Sequence, residues 1–139
     1  STGESGGMME AALTAYLLSQ TALMTAIGNR LTWGRREQGK PLPAIVLHRV
    51  DGVPDYHATA ASGLVESRIQ ADCWSASLEE ALAVASVLEA VTSGQRFVQG
   101  DVRFDAILIA DQRQDTFDET GGALYRVSLD LSVHHARAA

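Results

Sequence analysis

The chain predicts a single two-layer α+β domain, with a mainly antiparallel sheet of four to five strands and two helices packed on one face. Three observations carry that expectation. Between Leu64 and Thr92 the apolar period changes from two residues to between three and four, as when a half-buried strand feeds an amphipathic helix. From Ala123 to His135 the sequence alternates without interruption, with Tyr125, Val127, Leu129, Leu131 and Val133 on one side. Two long polar stretches, Asp51–Gly63 and Asp111–Gly122, each join segments that read as strands. Hairpin connections of that kind favour antiparallel pairing.

In order, a first helix is expected from Met9 to Gln20, where Ala12, Leu13, Tyr16 and Leu17 recur near the helical period. Ser19–Thr21 breaks it, and a short second piece follows before Gly28-Asn29, residues that tolerate the left-handed stop conformation. Leu31–Gly34 is a short strand, and Gly39–Pro43 is a loop because its prolines permit neither helix nor central strand. Ala44–Val50 is rich in branched residues and reads as a strand. Asp51–Gly63 has Gly, Pro and no apolar period, so it is expected as a loop arm reaching away from the body, with Tyr56 and His57 on it.

In the central strand Val65, Ile69, Ala71 and Cys73 face one way and Glu66, Arg68, Gln70 and Asp72 the other. Ser77 followed by Glu80 marks the start of the next helix, whose stripe is Leu78, Ala81, Leu82, Ala85, Leu88 and Val91, and Gly94 suits its end. Val102 and Phe104 lead to a strand at Ala106–Ala110, apolar on both sides and hence expected inside the sheet. Asp111–Gly122 is expected as a second long hairpin loop. Residues 9–135 form the domain. Residues 1–8 read as a cloning remnant without order and residues 136–139 as a frayed end.

With 139 residues, one domain buries about 68% of its unfolded surface, enough for a self-sufficient core. A net charge of −6 argues against a protein held to nucleic acid by phosphate neutralisation. No apolar run approaches the ~18 residues of a membrane-spanning helix, so no membrane role is expected. Cys73 is the single cysteine, which excludes an internal disulfide and fits a reducing compartment. Charge is unevenly placed. Arg30, Arg35, Arg36 and Lys40 stand against Glu37 alone, whereas Asp111, Asp115, Asp118 and Glu119 stand against Arg113. These are either two solvated loops or complementary surfaces of neighbouring copies.

Residues able to do chemistry are few. His48, His57, His134, His135 and Cys73 are the soft-metal candidates, but no ligand spacing links them, and neighbours on a strand point to opposite faces. Cys73 precedes a helix but lies on the apolar face, so a buried structural thiol is expected rather than a nucleophile. Asp72 and Asp130 could form a carboxylate pair able to do acid–base work, but a solvated pair, or partners for Arg68 and Arg126, is the expectation. No glycine-rich phosphate loop precedes a helix, and Trp33, Trp74 and Tyr56 suit the sealing of a core or interface. No enzyme signature is present.

Taken together, several stretches resemble the phage tail-completion family, the tail-terminator or head–tail joining proteins of phages, prophages and phage-derived particles. They are the helix end Ile27-Gly28-Asn29-Arg30-Leu31, then Leu42-Pro43-Ala44-Ile45-Val46-Leu47, then Arg68-Ile69-Gln70-Ala71-Asp72-Cys73-Trp74 with Glu80-Ala81. Asp111-Gln112-Arg113-Gln114-Asp115 and Tyr125-Arg126-Val127-Ser128-Leu129-Asp130-Leu131 complete the series. Ala44 and His135 stand where that family usually has aromatics.

The resemblance implies a structural protein without cofactor or catalysis, which forms a ring, usually a hexamer, that caps the tail tube and joins it to the head. It implies as partners further copies of the chain, the tail tube protein and the head–tail connector proteins. DNA would pass through the ring without specific binding. It implies assembly in the bacterial cytoplasm and residence in the virion tail. On that reading Arg30, Arg35, Arg36 and Lys40 of one subunit meet Asp111, Asp115, Asp118 and Glu119 of the next. Two alternatives remain: another minor tail or head–tail adaptor protein, and a small-molecule enzyme with a pocket at Asp72, Asp130 and His134.

Overall fold

A computed structural model describes residues 2–35, 41–50, 56–57, 64–119 and 122–138. Its elements run α1 (Thr2–Leu18), α2 (Thr21–Ile27), β1 (Leu31–Trp33), β2 (Ala44–Arg49), β3 (Tyr56–His57), β4 (Val65–Ser75), α3 (Leu78–Thr92), β5 (Phe97–Gln99), β6 (Val102–Glu119) and β7 (Gly122–Arg137). Six strands form one curled sheet in the order β1-β2-β4-β7-β6-β5, with the two-residue β3 added beside β4. All pairings are antiparallel except β1 with β2, which is parallel. The α+β class is as expected. The sheet is mixed and larger than four to five strands, and the helices number three among the described residues.

The change of period at Leu64–Thr92 becomes β4 and α3. Ser77 caps α3 by accepting from the Glu80 amide at 3.0 Å, but the Glu80 carboxylate does not return to Ser77. It accepts instead from the Ser75 hydroxyl, whose oxygen takes the Ser77 amide at 3.3 Å, so the capping box closes through a serine relay. At the other end Ser93 is the C-cap and Gly94, at φ +73°, turns the chain toward β6. At the end of α2, Gly28 and Asn29 both take left-handed backbone angles, as their residue types allow.

One core lies between the helices and one face of the sheet. Ile69, Ala71 and Cys73 of β4 and Val127, Leu129, Leu131 and Val133 of β7 are fully buried against Ala81, Val84, Ala85 and Leu88 of α3. Met9, Leu13 and Leu17 of α1 and Leu23 and Ile27 of α2 join the same cluster. Each such large side chain contributes on the order of 1.5–3 kcal/mol by leaving water. Tyr16 ties α1 to its neighbours: its hydroxyl donates to the Val91 carbonyl at 2.6 Å, and its ring stacks on Phe97 at 3.7 Å. Phe97 stacks in turn on Phe104 at 4.6 Å.

Several expectations are corrected. Helix α1 starts at Thr2 rather than Met9, because a polar segment can extend a helix without showing an apolar period. The chain end is not frayed at 136: β7 runs to Arg137, Ala136 is buried, and the Ala138 amide donates to the Asp101 carbonyl at 2.8 Å. Ala106–Ala110 is not enclosed on both sides. Among the described residues only the three of β5 flank β6 outside, and Leu108 is 49% exposed.

The largest correction concerns Asp111–Gly122. Asp111–Glu119 is not loop but the outer half of β6, paired with β7 from Asp130 to Gly122. It carries polar residues on both faces, so alternation gives no signal there. Most of the expected Asp51–Gly63 arm lies outside the described residues, and its described part, β3, pairs with β4 at Glu66 and Val65. No described helix is long and apolar enough to cross a membrane.

Candidate functional site

The β6–β7 hairpin is the feature this fold displays. Its register runs from Val102 opposite Arg137 to Glu119 opposite Gly122, broken by bulges at Phe104/Ala106 and Ile109/Asp111. Such bulges bend a strand locally and increase its twist. β4 ends at Ser75 opposite Tyr125, so among the described residues the tip beyond Tyr125 has no second strand beside β7. Residues 110–114 and 116–118 are exposed.

Ion pairs fasten this hairpin across its non-helical face. Arg113 holds Asp130 bidentately at 2.7 and 3.2 Å and reaches Asp111 at 2.9 Å. Those two carboxylates push its already high pKa further up, the hydrogen bonds to Asp130 contributing most. Arg126 donates to Asp115 at 2.8 Å and lies over the rings of Trp74 and Phe117, at 5.5 and 5.1 Å. The two rings are 5.4 Å apart. This cluster pins the hairpin tip to the end of β4.

Deeper in the same face sits Asp72, only 2% exposed. Its carboxylate accepts from Ser128 Oγ at 2.6 Å, Gln70 Nε2 at 2.8 Å and His48 Nε2 at 3.1 Å, with Arg126 Nη1 at 4.0 Å. Farther along, Glu66 accepts from Ser132 at 2.5 Å and lies 3.6 Å from Arg68. The Ser132 hydrogen bond, opposed by burial and aided by the charges of His134 and Arg68, holds Glu66 below the usual carboxylate range.

These groups stitch strands together. Asp72 is engaged by three side-chain donors in a buried site, which overturns the solvated Asp72–Asp130 pair expected from the sequence. Asp130 lies opposite Gln70 and is held by Arg113, while His134 lies opposite Glu66, four residues along β7 and hence about 13 Å away. Asp72, Asp130 and His134 therefore line no common pocket. Cys73 is buried, and burial followed by the Asp72 charge pushes its thiol up to about 12, which suits an inert structural residue. His135 faces the core, where its Nε2 meets Ser67 Oγ at 2.9 Å, and His134 faces the other side. Among the described residues no three metal-ligating side chains cluster.

The expected interface residues fall at opposite ends of the sheet. Arg30 precedes β1 and spends its Nε on the Pro43 carbonyl at 2.8 Å, while Arg35, just beyond β1, is exposed. Arg36 and Lys40 lie outside the described residues. Asp111 and Asp115 are paired within the chain as above, and Asp118 is exposed near the tip. Glu119 closes the β6 ladder. Tyr56 and His57 hold β3 to β4 through their backbones.

Sequence reasoning missed the Trp74–Arg126–Phe117 cluster and the burial of Asp72. One clue was available: Phe117 is the only aromatic in the polar run from Asp111 to Glu119.

Compared with known proteins, residues 11–136 match the family model described as tail completion protein gp17. Comparison with curated proteins gives no match. Ten chains of solved structures match, among them a chain of the virion of a native gene transfer agent (GTA) particle. That chain is similar in fold with a TM-score of 0.67 at 14% identity, over 91% of this chain and 92% of its own length.

Proposed function

The chain belongs to the tail completion protein gp17 family and is a structural, non-enzymatic phage morphogenesis protein, and from that premise we propose that it forms a ring that caps the tail tube and joins it to the head. The observation that carries this reading is the placing of opposite charge at the two flanks of one sheet. Arg30 and Arg35 flank β1, whereas Asp111–Glu119 lie on β6, four strand spacings or about 19 Å across. Groups that far apart in one copy cannot pair with each other. They can pair between copies set head to tail, the arrangement that closes a ring when the rotation permits.

A hexamer is the proposed size, with the tail tube protein below and the head–tail connector proteins above. DNA passes through the opening, and a net charge of −6 keeps the duplex from sticking to the wall. Assembly occurs in the bacterial cytoplasm, and the ring remains in the particle. Reversing Arg35 and Arg36 to glutamate places like charges at the joint. The expected result is loss of tail joining with the circular dichroism spectrum and thermal midpoint unchanged. Normal joining by that folded variant would contradict the reading.

A further inference from the structure

We infer that the outer edge of β6, from Gln112 to Asp118, is a strand-pairing surface that takes the β1 edge of a second copy of this chain; this rests on the ring reading and names the contact that builds it. The side chains alone offer too little. Two of the four hairpin carboxylates, Asp111 and Asp115, are already paired within the chain. The backbone is what remains open.

The register assigns which backbone groups are free. Glu119 and Gly122 close a hairpin around two residues, so they form a hydrogen-bonded pair, and alternation from there fixes the rest. Asp111, Arg113, Asp115 and Phe117 turn their amides and carbonyls toward β7. Gln112, Gln114, Thr116 and Asp118 turn theirs outward. The far end agrees: the Gly94 amide reaches the Ile107 carbonyl at 2.9 Å from outside, so Ile107 faces away from β7, and the bulge at Ile109/Asp111 carries the alternation on. β5 covers only Val102–Phe104 of this edge. Beyond Ile107 it has no sheet partner among the described residues.

A long bare edge is a template for another strand, and folded proteins commonly block such edges with proline, lysine or a covering element. From Gln112 to Asp118 there is no proline and no lysine. The outward-turned residues Gln112, Gln114 and Thr116 are uncharged and exposed, and thus do not repel an incoming strand. Asp118, exposed near the tip, makes it acidic and calls for a basic partner.

The chain supplies that partner at the opposite flank of its own sheet. In the parallel ladder the Ile45 amide donates to the Arg30 carbonyl and the Gly34 amide to the Leu47 carbonyl, so Thr32 serves β2. The Leu31 carbonyl and both Trp33 backbone groups therefore face outward, beside exposed Arg35. Joining β1 of each copy to β6 of the next continues one sheet from subunit to subunit, by main-chain hydrogen bonds that charge at either end orients.

The test is residue-resolved amide hydrogen exchange of the full chain, free and seated on tail tubes isolated from particles made without it. Protection of Gln112, Gln114, Thr116 and Asp118 is expected to rise at least about tenfold on assembly, while Arg113 and Asp115 stay at their free-chain values. Gln114→Pro, which removes one outward amide and no β7 bond, is expected to weaken assembly about tenfold or more, and Gln114→Ala to leave it intact. A photoreactive phenylalanine at position 114 is expected to capture Leu31–Arg35 of another copy.

Unchanged exchange at the four amides in the assembled ring would overturn the inference and leave the ring reading standing. Capture of the tube protein instead of a second copy would do the same. If the wild-type chain forms no ring on tube ends, the ring reading itself falls.

Discussion

Removing the Asp72 carboxylate should destabilise the fold more than removing any ion pair of the hairpin. Asp72→Ala leaves Ser128, Gln70 and His48 without their acceptor in a site 2% exposed, at a cost of about 2–3 kcal/mol. Arg113→Ala breaks exposed pairs and should cost less than about 1 kcal/mol. Urea denaturation of the two variants measures both, and equal losses would contradict the distinction. Glu66 and Cys73 contribute to the pH response with opposite sign. Glu66 is held below its ordinary value, so its contribution is present above about pH 4.3 and fades as pH falls through its lower folded value. Ser132→Ala should move the Glu66 titration upward in an NMR pH series. Cys73 is displaced the other way, so its contribution is full below about pH 8.5 and is lost as pH rises toward about 12. At pH 8 its labelling by a thiol reagent should be limited by unfolding. The inertness of Cys73 was legible from its place on an apolar face. The burial of Asp72 was not, because alternation says which face a residue takes but not how far a curled sheet closes over that face.

Helix α3 is the element the sequence describes best, since its stripe, its cap and its terminal glycine are all local signals. Ser77→Ala removes the hydrogen bond to the Glu80 amide and should lower stability by about 1 kcal/mol, seen as a lower thermal midpoint with unchanged helix content in the folded state. No change in midpoint would mean that the Ser75–Glu80 relay holds the helix start without it. Strand β6 is the opposite case. Its inner half announces itself through Ile107 and Ile109, but its outer half alternates polar with polar. Pairing with β7, itself unmistakable from Tyr125 to Val133, imposes extended structure on a stretch whose own residues do not signal it. β1 and β5, three residues each, are too short for any period to show, and the parallel pairing of β1 depends on a connection that local sequence does not encode.

Across the whole molecule, the α+β class and the single core followed from two strong elements, β4–α3 and β7. The order of the strands did not follow, and that order is what gives the protein two flanks of opposite charge. Joining those flanks between copies requires no cleft and no reactive group, in keeping with a carboxylate network that braces strands and a cysteine that stays protonated. On the reading proposed above, the chain completes tails by bridging tube and head. Electron microscopy of particles produced without this protein tests that claim most directly. Separate heads and tails whose tube ends lack a terminal ring are expected, with joining restored when the protein is supplied. Intact, joined particles in its absence would contradict it.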